Sequence, residues 1–190
     1  MQTKNRGIAE TIKDEIIDAI KGAGQAVNAA VSAVSDVVAN TIRNLGTAGT
    51  SVLESASDVV RGAIKGVKEA GGDLGEAAKG IVLGVIRGAG QVGKQAFDTI
   101  ADTAGAIVKN TAGLLGDIAG AAKGAVEGAI AGAKEIGLNV EEAASAAATG
   151  AVKAAYEISL EVGTKVRKAV TGTIDGVKLV IKEPLRAEKK

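Results

Sequence analysis

The chain has no histidine, no cysteine and no tryptophan, and only one proline, one phenylalanine and one tyrosine among 190 residues. Each absence removes a class of chemistry. Without histidine or cysteine there is no Ser-His-Asp or Cys-His machinery, no zinc or haem site of the usual ligand kind and no disulfide framework. The chain is therefore expected not to be an enzyme and to use no cofactor or metal. Aromatic residues at 1% leave no stacking platform for single-stranded nucleic acid. With 23 basic against 22 acidic side chains, the net charge of +1 is no footprint for DNA or RNA either, so no nucleic-acid partner is expected. The apolar fraction of 46% is mainly Ala, Val and Ile, which makes for a core without large rings.

Long apolar runs are also missing. The longest uncharged stretch, Gly22 to Ser35, falls short of the roughly 18 to 20 residues that a spanning helix needs. Met1 to Gly7 lead into alternating charged and apolar residues, with no apolar signal region. The expected location is cytoplasmic, or peripheral to an intracellular membrane or lipid surface.

What the chain does contain is a repeat. Steps of 4, 4 and 3 from Ile8 give Ile12 and Ile16, then Val34 and Val38, Val52 and Val60, Leu74 and Val82, Ile100, Ile118 and Val126, Val166 and Val170, and finally Ile181. No charged residue falls anywhere on this walk, although 24% of the chain is charged. Eleven residues span three turns at about 3.67 per turn, so the stripe runs nearly straight along a helix. A second period of 22 overlies it, in Ile20-Lys21-Gly22, Ile42-Arg43-Asn44, Ile64-Lys65-Gly66, Ile86-Arg87-Gly88 and Val108-Lys109-Asn110, with a degenerate copy at Ile174-Asp175-Gly176.

Because turns usually shift the apolar phase and here it never slips, the pattern predicts an all-α chain. Residues 8–183 are expected to form one very long, nearly continuous amphipathic helix, on the order of 260 Å at 1.5 Å per residue. Residues 1–7 form an N-terminal tail, and 184–190 a charged C-terminal tail that opens with the only proline, Pro184. The alternative is a bundle with turns at 46–51, 71–73 or 137–139, where glycine and helix-capping residues cluster.

The 27 glycines argue that such a helix needs neighbours. At roughly 0.8 to 1 kcal/mol each relative to Ala, they cost on the order of 20 kcal/mol, more than a domain's usual net stability. Glycine and alanine would permit close backbone approach between packed helices. The charges suggest how the neighbours lie. One edge of the apolar face carries Lys13, Lys68, Lys79, Lys123, Lys134, Arg167 and Lys178, and the opposite flank carries Asp14, Asp36, Asp58, Asp102, Glu135 and Glu157. Side by side, parallel helices bring a basic edge to an acidic flank, whereas antiparallel ones bring like to like. The expected partner is a parallel copy of the same chain, and a hairpin fold within one chain is expected to oppose the pattern.

One segment imitates a phosphate-binding loop. Ile81 to Ile86 followed by Gly88-Ala89-Gly90-Gln91-Val92-Gly93-Lys94 has the glycine spacing, but Gln95 stands where a magnesium-binding hydroxyl is required. No nucleotide site is expected there.

The eleven-residue pattern, seen in part in Phe97-Asp98-Thr99-Ile100 and Gly66-Val67-Lys68-Glu69, resembles group 3 late embryogenesis abundant proteins. Gly62 to Gly72 is similar to the repeats of synucleins and perilipins, and the 22-residue unit resembles exchangeable apolipoproteins. These resemblances imply protection of dried cells or coating of lipid surfaces. The charge pattern itself points to a non-enzymatic structural protein, self-associating side by side into a homo-oligomeric wall, tube or filament. An amphipathic coat on a lipid droplet or membrane, or a stress-protective protein like the late embryogenesis abundant group, is the alternative.

Overall fold

The computed structural model describes residues 7–23, 27–47, 52–89 and 94–181. Their hydrogen bonding is almost wholly helical, yet the long helix is cut into eight: α1 Ile8–Ala23, α2 Val27–Thr47, α3 Val52–Glu69, α4 Leu74–Ala89, α5 Lys94–Gly113, α6 Ile118–Ile136, α7 Val140–Ile158 and α8 Leu160–Ala169. The continuous helix expected over 8–183 is thus corrected to a helical-repeat array.

The cuts follow the 22-residue period. Helices begin at Val52, Leu74, Ile118 and Val140, so one unit is one helix plus its turn. Gly71 and Gly137 close α3 and α6 with φ of +74° and +75°, a left-handed conformation that glycine adopts without steric cost. Leu115 holds the same register position after α5, with φ 53°. The next helix then starts from a capping residue. Asp73 accepts a hydrogen bond from the Glu76 amide at 2.9 Å, Asn139 from Glu142 at 3.0 Å and Ser159 from Val162 at 3.1 Å. Because 22 is twice 11, a turn of constant length leaves the apolar phase unchanged. Of the three turn positions considered from sequence, 71–73 and 137–139 are turns, and most of 46–51 lies outside the described residues.

The helices pack in two layers, α1, α3, α5 and α7 in one and α2, α4 and α6 in the other, with α8 against α6 and α7. Consecutive helices are hairpins between layers. Within a layer, neighbours two apart in sequence run parallel: Gly80, Gly84 and Gly88 of α4 face Val31, Ser35 and Ala39 of α2 in ascending order. The apolar stripe fills the interlayer core, which includes Ile12, Ile16, Val34, Val38, Val60, Val82, Ile100, Val126, Val166 and Val170. Alanine dominates it around α7, where Ala144, Ala148, Ala151 and Ala155 are fully buried.

Beyond Ala169 the helical reading fails a second time. Thr173–Ile174 and Val177–Lys178 form a two-stranded antiparallel hairpin. Its turn residues Asp175 and Gly176 both have positive φ, 48° and 80°. An Asp-Gly pair between short β-branched segments is a strong hairpin signal, and it outweighs the degenerate repeat copy read at Ile174-Asp175-Gly176. The hairpin packs on α7, with Ile174 and Leu179 buried and the Val180 amide donating to Ser145 Oγ at 3.1 Å.

Candidate functional site

The features expected to direct assembly between chains are used within one. Arg87 of α4 is the central case. Its guanidinium grips Glu135 of α6, with Nε and Nη2 donating at 2.8 Å to the two carboxylate oxygens, and Nη1 donates to Ser35 Oγ of α2 at 3.0 Å beside Asp36 at 3.5 Å. One side chain therefore bridges three parallel helices, and its planar fork suits this better than an ammonium would. Lys13 pairs with Glu69 across α1 and α3, Lys79 approaches Glu127 across α4 and α6, and Lys109 meets Glu157 across α5 and α7 at 2.6 Å. Parallel neighbours do bring basic to acidic, but by alternating layers inside the chain. The expectation that an intrachain hairpin opposes the charge pattern is corrected, because hairpin partners lie in different layers.

Two titrations carry the signature of these pairs. The Glu10 carboxylate, hydrogen-bonded to Lys13, raises that ammonium above the usual lysine range, with Glu69 and Asp14 adding to the effect. The Lys109 ammonium, hydrogen-bonded to Glu157, holds its carboxyl below the ordinary range.

The other basic-edge and acidic-flank residues are dispersed. Lys68 Nζ donates to the Leu114 carbonyl, Lys123 pairs with Glu127 on its own helix, and Asp58 pairs with Arg61 one turn away. Asp14 lies 3.9 Å from Lys13 Nζ. Lys134, Arg167 and Lys178 are exposed. Of the apolar-face residues, Ile8, Leu74, Ile118 and Ile181 are half-buried at the rim of the core, and the Val52 side chain lies outside the described residues. The imitation phosphate loop is absent at its start: Gly88 is helical and backs onto Ala39 and Ile42, while 90–93 lie outside the described residues.

Among the described residues, two hollows border the odd layer. A groove of about 550 Å³, floored by alanines and glycines, is bordered by Ser57 of α3, by Asp102, Lys109 and Asn110 of α5, and by Lys153 and Glu157 of α7. A second hollow of about 350 Å³ lies between Glu10, Lys65, Lys68, Glu69 and Leu114. The larger groove brings side chains of both charges together with hydroxyl groups and small residues. Among the described residues, no group of three or more acidic side chains could hold a metal ion. Sequence reading passed over this groove, because α5 differs from its sisters at only a few register positions.

The odd-to-even turns share one edge of the array, since the odd helices run parallel. That edge exposes Leu115 at 95% and Leu160 at 72% of their surface, with Ile158 beside Leu160 in sequence and also exposed.

No protein family and no curated protein matches the chain. Among solved structures, it is similar to the crystal structure of a de novo designed helical repeat protein, at 20% identity and a TM-score of 0.47, covering 85% of this chain and 91% of that one. Among the described residues, no helix is long and apolar enough to cross a membrane.

Proposed function

We propose that the protein is a non-enzymatic helical-repeat scaffold that needs no second copy to bury its core and presents the groove of its odd layer to a partner. The observation that carries this reading is the consumption of the apolar stripe. Residues such as Ile16, Val38, Val60, Val82 and Val126, which a filament or a lipid coat would need at an outer surface, are sealed between the layers. Of the basic edge, Lys13 and Lys79 pair between parallel helices of one chain, and Asp36, Glu135 and Glu157 of the acidic flank meet Arg87 and Lys109, which lie off that edge. What remains outside among the described residues is a mixed-charge surface with the odd-layer groove, which suits recognition of a partner better than lateral growth of a wall.

A second reading, reversible attachment to lipid, is favoured by one feature. Leu115, Ile158 and Leu160 are exposed along a single edge, where they could make first contact with an apolar surface before the layers part. Circular dichroism and light scattering with and without anionic vesicles separate the two. The scaffold predicts a monomer that is fully helical in buffer and unchanged by vesicles. A coil that becomes helical only with lipid, or growth into long particles in buffer, would contradict it.

A further inference from the structure

The two layers are not joined with equal strength. In the even layer, the glycines of α4 lie on α2 so closely that a Cβ on Gly84 would sit 2.6 Å from the Ser35 carbonyl oxygen, and one on Gly80 or Gly88 2.8 Å from Val31 or Ala39. Gly124 and Gly128 of α6 meet Gly75 and Lys79 of α4 in the same way. In the odd layer, Gly62 and Gly66 of α3 dock on Ala9 and Lys13 of α1, and Gly150 of α7 docks on Ala101 of α5. The facing residues in the α2–α4, α4–α6 and α5–α7 pairs keep a constant separation of 49 residues.

The α3–α5 pair breaks this rule from both sides. The register that holds Gly80, Gly84 and Gly88 in α4 holds Asp102, Ala106 and Asn110 in α5, and all three are exposed or only half-buried. The matching face of α3 carries Ser57 and Arg61, also exposed. Arg61 bonds to Asp58 and the Asn110 amide donates to the Ala106 carbonyl of its own helix at 2.8 Å, so among the described residues a side-chain hydrogen bond crosses the seam at its end, from exposed Lys68 to the Leu114 carbonyl just past α5. The ion-pair ladder is interrupted as well. Arg87 and Lys109 each find a carboxylate 48 residues on, whereas the position 48 beyond Lys65 is Gly113. Among the described residues no ion pair joins α3 to α5, and both hollows border this seam, one at Ser57 and the other at Lys65 and Lys68.

We propose that the α3–α5 seam is a hinge built into the array. The α1–α3 and α5–α7 pairs are rigid, and they open and close relative to one another by rolling about the glycine-lined contact of α4 with α6, like covers on a spine. Backbone-to-backbone contact along a line resists sliding but permits rotation, and a seam lined by exposed polar side chains offers little resistance to widening. Opening would enlarge the odd-layer groove, so the seam regulates access to the surface assigned above, and the hinge stands or falls apart from what binds there.

The absence of cysteine makes the test direct. Spin labels at Ser57→Cys and Asp98→Cys span the seam, and labels at Asp98→Cys and Glu142→Cys span the tight α5–α7 pair; all these sites are exposed. Pulsed dipolar spectroscopy on the full chain should give a cross-seam distance distribution about twice as wide as the control, since hinge motion moves whole elements. Equal widths would overturn the hinge. In the same cross-seam background, the triple change Asp102→Gly, Ala106→Gly and Asn110→Gly restores the glycine register and should narrow the distribution to that of the control. A triple variant that keeps wild-type helicity and stays wide would overturn the register explanation. Should it fail to fold, Arg61→Ala with Asn110→Ala removes only the locally bonded polar groups; narrowing again supports the hinge, and an unchanged width counts against it.

Discussion

Replacing Gly84 by alanine sets two effects of opposite sign against each other. Alanine is the better helix former by about 1 kcal/mol, so propensity alone predicts a more stable protein. The new methyl, however, would lie 2.6 Å from the Ser35 carbonyl oxygen and 2.8 Å from Val38 Cβ. Ordinary contact is about 3.5 Å or more, so α2 and α4 must part by about 0.9 Å. The obstacle is backbone, which cannot rotate aside, and the flanking Gly80 and Gly88 hold the same two helices together at 2.8 Å. Overpacking of this kind costs about 1 to 3 kcal/mol, and its upper half is appropriate where backbone must move. The net expectation is a loss of about 1 to 2 kcal/mol, a fall in melting temperature of roughly 3 to 6 °C for a chain of this size. Gly22 is the control, being helical with nothing within 4 Å of its would-be Cβ. Gly22→Ala near the end of α1 should stabilise by about 0.5 kcal/mol. Thermal and urea melts of both variants decide the matter. If Gly84→Ala melts at or above the wild type, close approach of parallel helices is not what the glycines provide.

Other expectations follow from single residues. Leu115→Gly should raise stability by about 1 kcal/mol, because a left-handed residue loses its Cβ penalty and a 95% exposed leucine goes with it; calorimetry reads the change. Thr111 Oγ1 is buried without a hydrogen-bond partner, so Thr111→Val should stabilise by about 1 kcal/mol in urea titration. Arg87→Lys keeps the charge but not the fork that joins Ser35, Asp36 and Glu135, and should cost about 1 kcal/mol, a loss that high salt does not restore. The Glu157 carboxyl titrates below its ordinary value when folded, because Lys109 hydrogen-bonds it. The pair therefore stabilises the fold above the ordinary carboxylate pKa, and that contribution is lost as pH falls through the folded value. In Lys109→Met, an NMR titration should show Glu157 moving back up toward ordinary carboxylates, and an unchanged midpoint would deny the pairing.

The part of this fold legible in the sequence was its periodicity, and the part that misled was its regularity. The walk from Ile8, which reads as a face for other chains or for lipid, supplies Ile12, Ile16, Val34, Val38, Val60, Val82 and Val126 to the core within the chain. It passes without a slip through Gly71, Leu115, Gly137 and Ser159, which lie in turns, because unit length and hendecad are commensurate. Phase alone could therefore not separate one long helix from a ladder of short ones. The local chemistry could: Gly71 two residues before Asp73 and Gly137 two before Asn139 are a helix stop followed by a helix start. The Asp175-Gly176 hairpin was likewise written in two residues. The parallel ion pairs use Asp36, Glu135 and Glu157 of the expected flank, but their cations Arg87 and Lys109 lie off the expected basic edge, and residue type does not say whether a parallel neighbour is another chain or a helix two further along. The groove was not legible, since it depends on Asp102 and Asn110 replacing glycines whose register only the packed structure reveals.

Small-angle X-ray scattering of the full chain in dilute buffer tests the central claim, that one chain folds into a two-layer array of short helices. A compact 190-residue array should give a radius of gyration of about 16 to 20 Å, with no dependence on concentration. A continuous helix on the order of 260 Å long would give tens of ångströms and a rod-like profile. Finding the rod, alone or in bundles, would contradict the account.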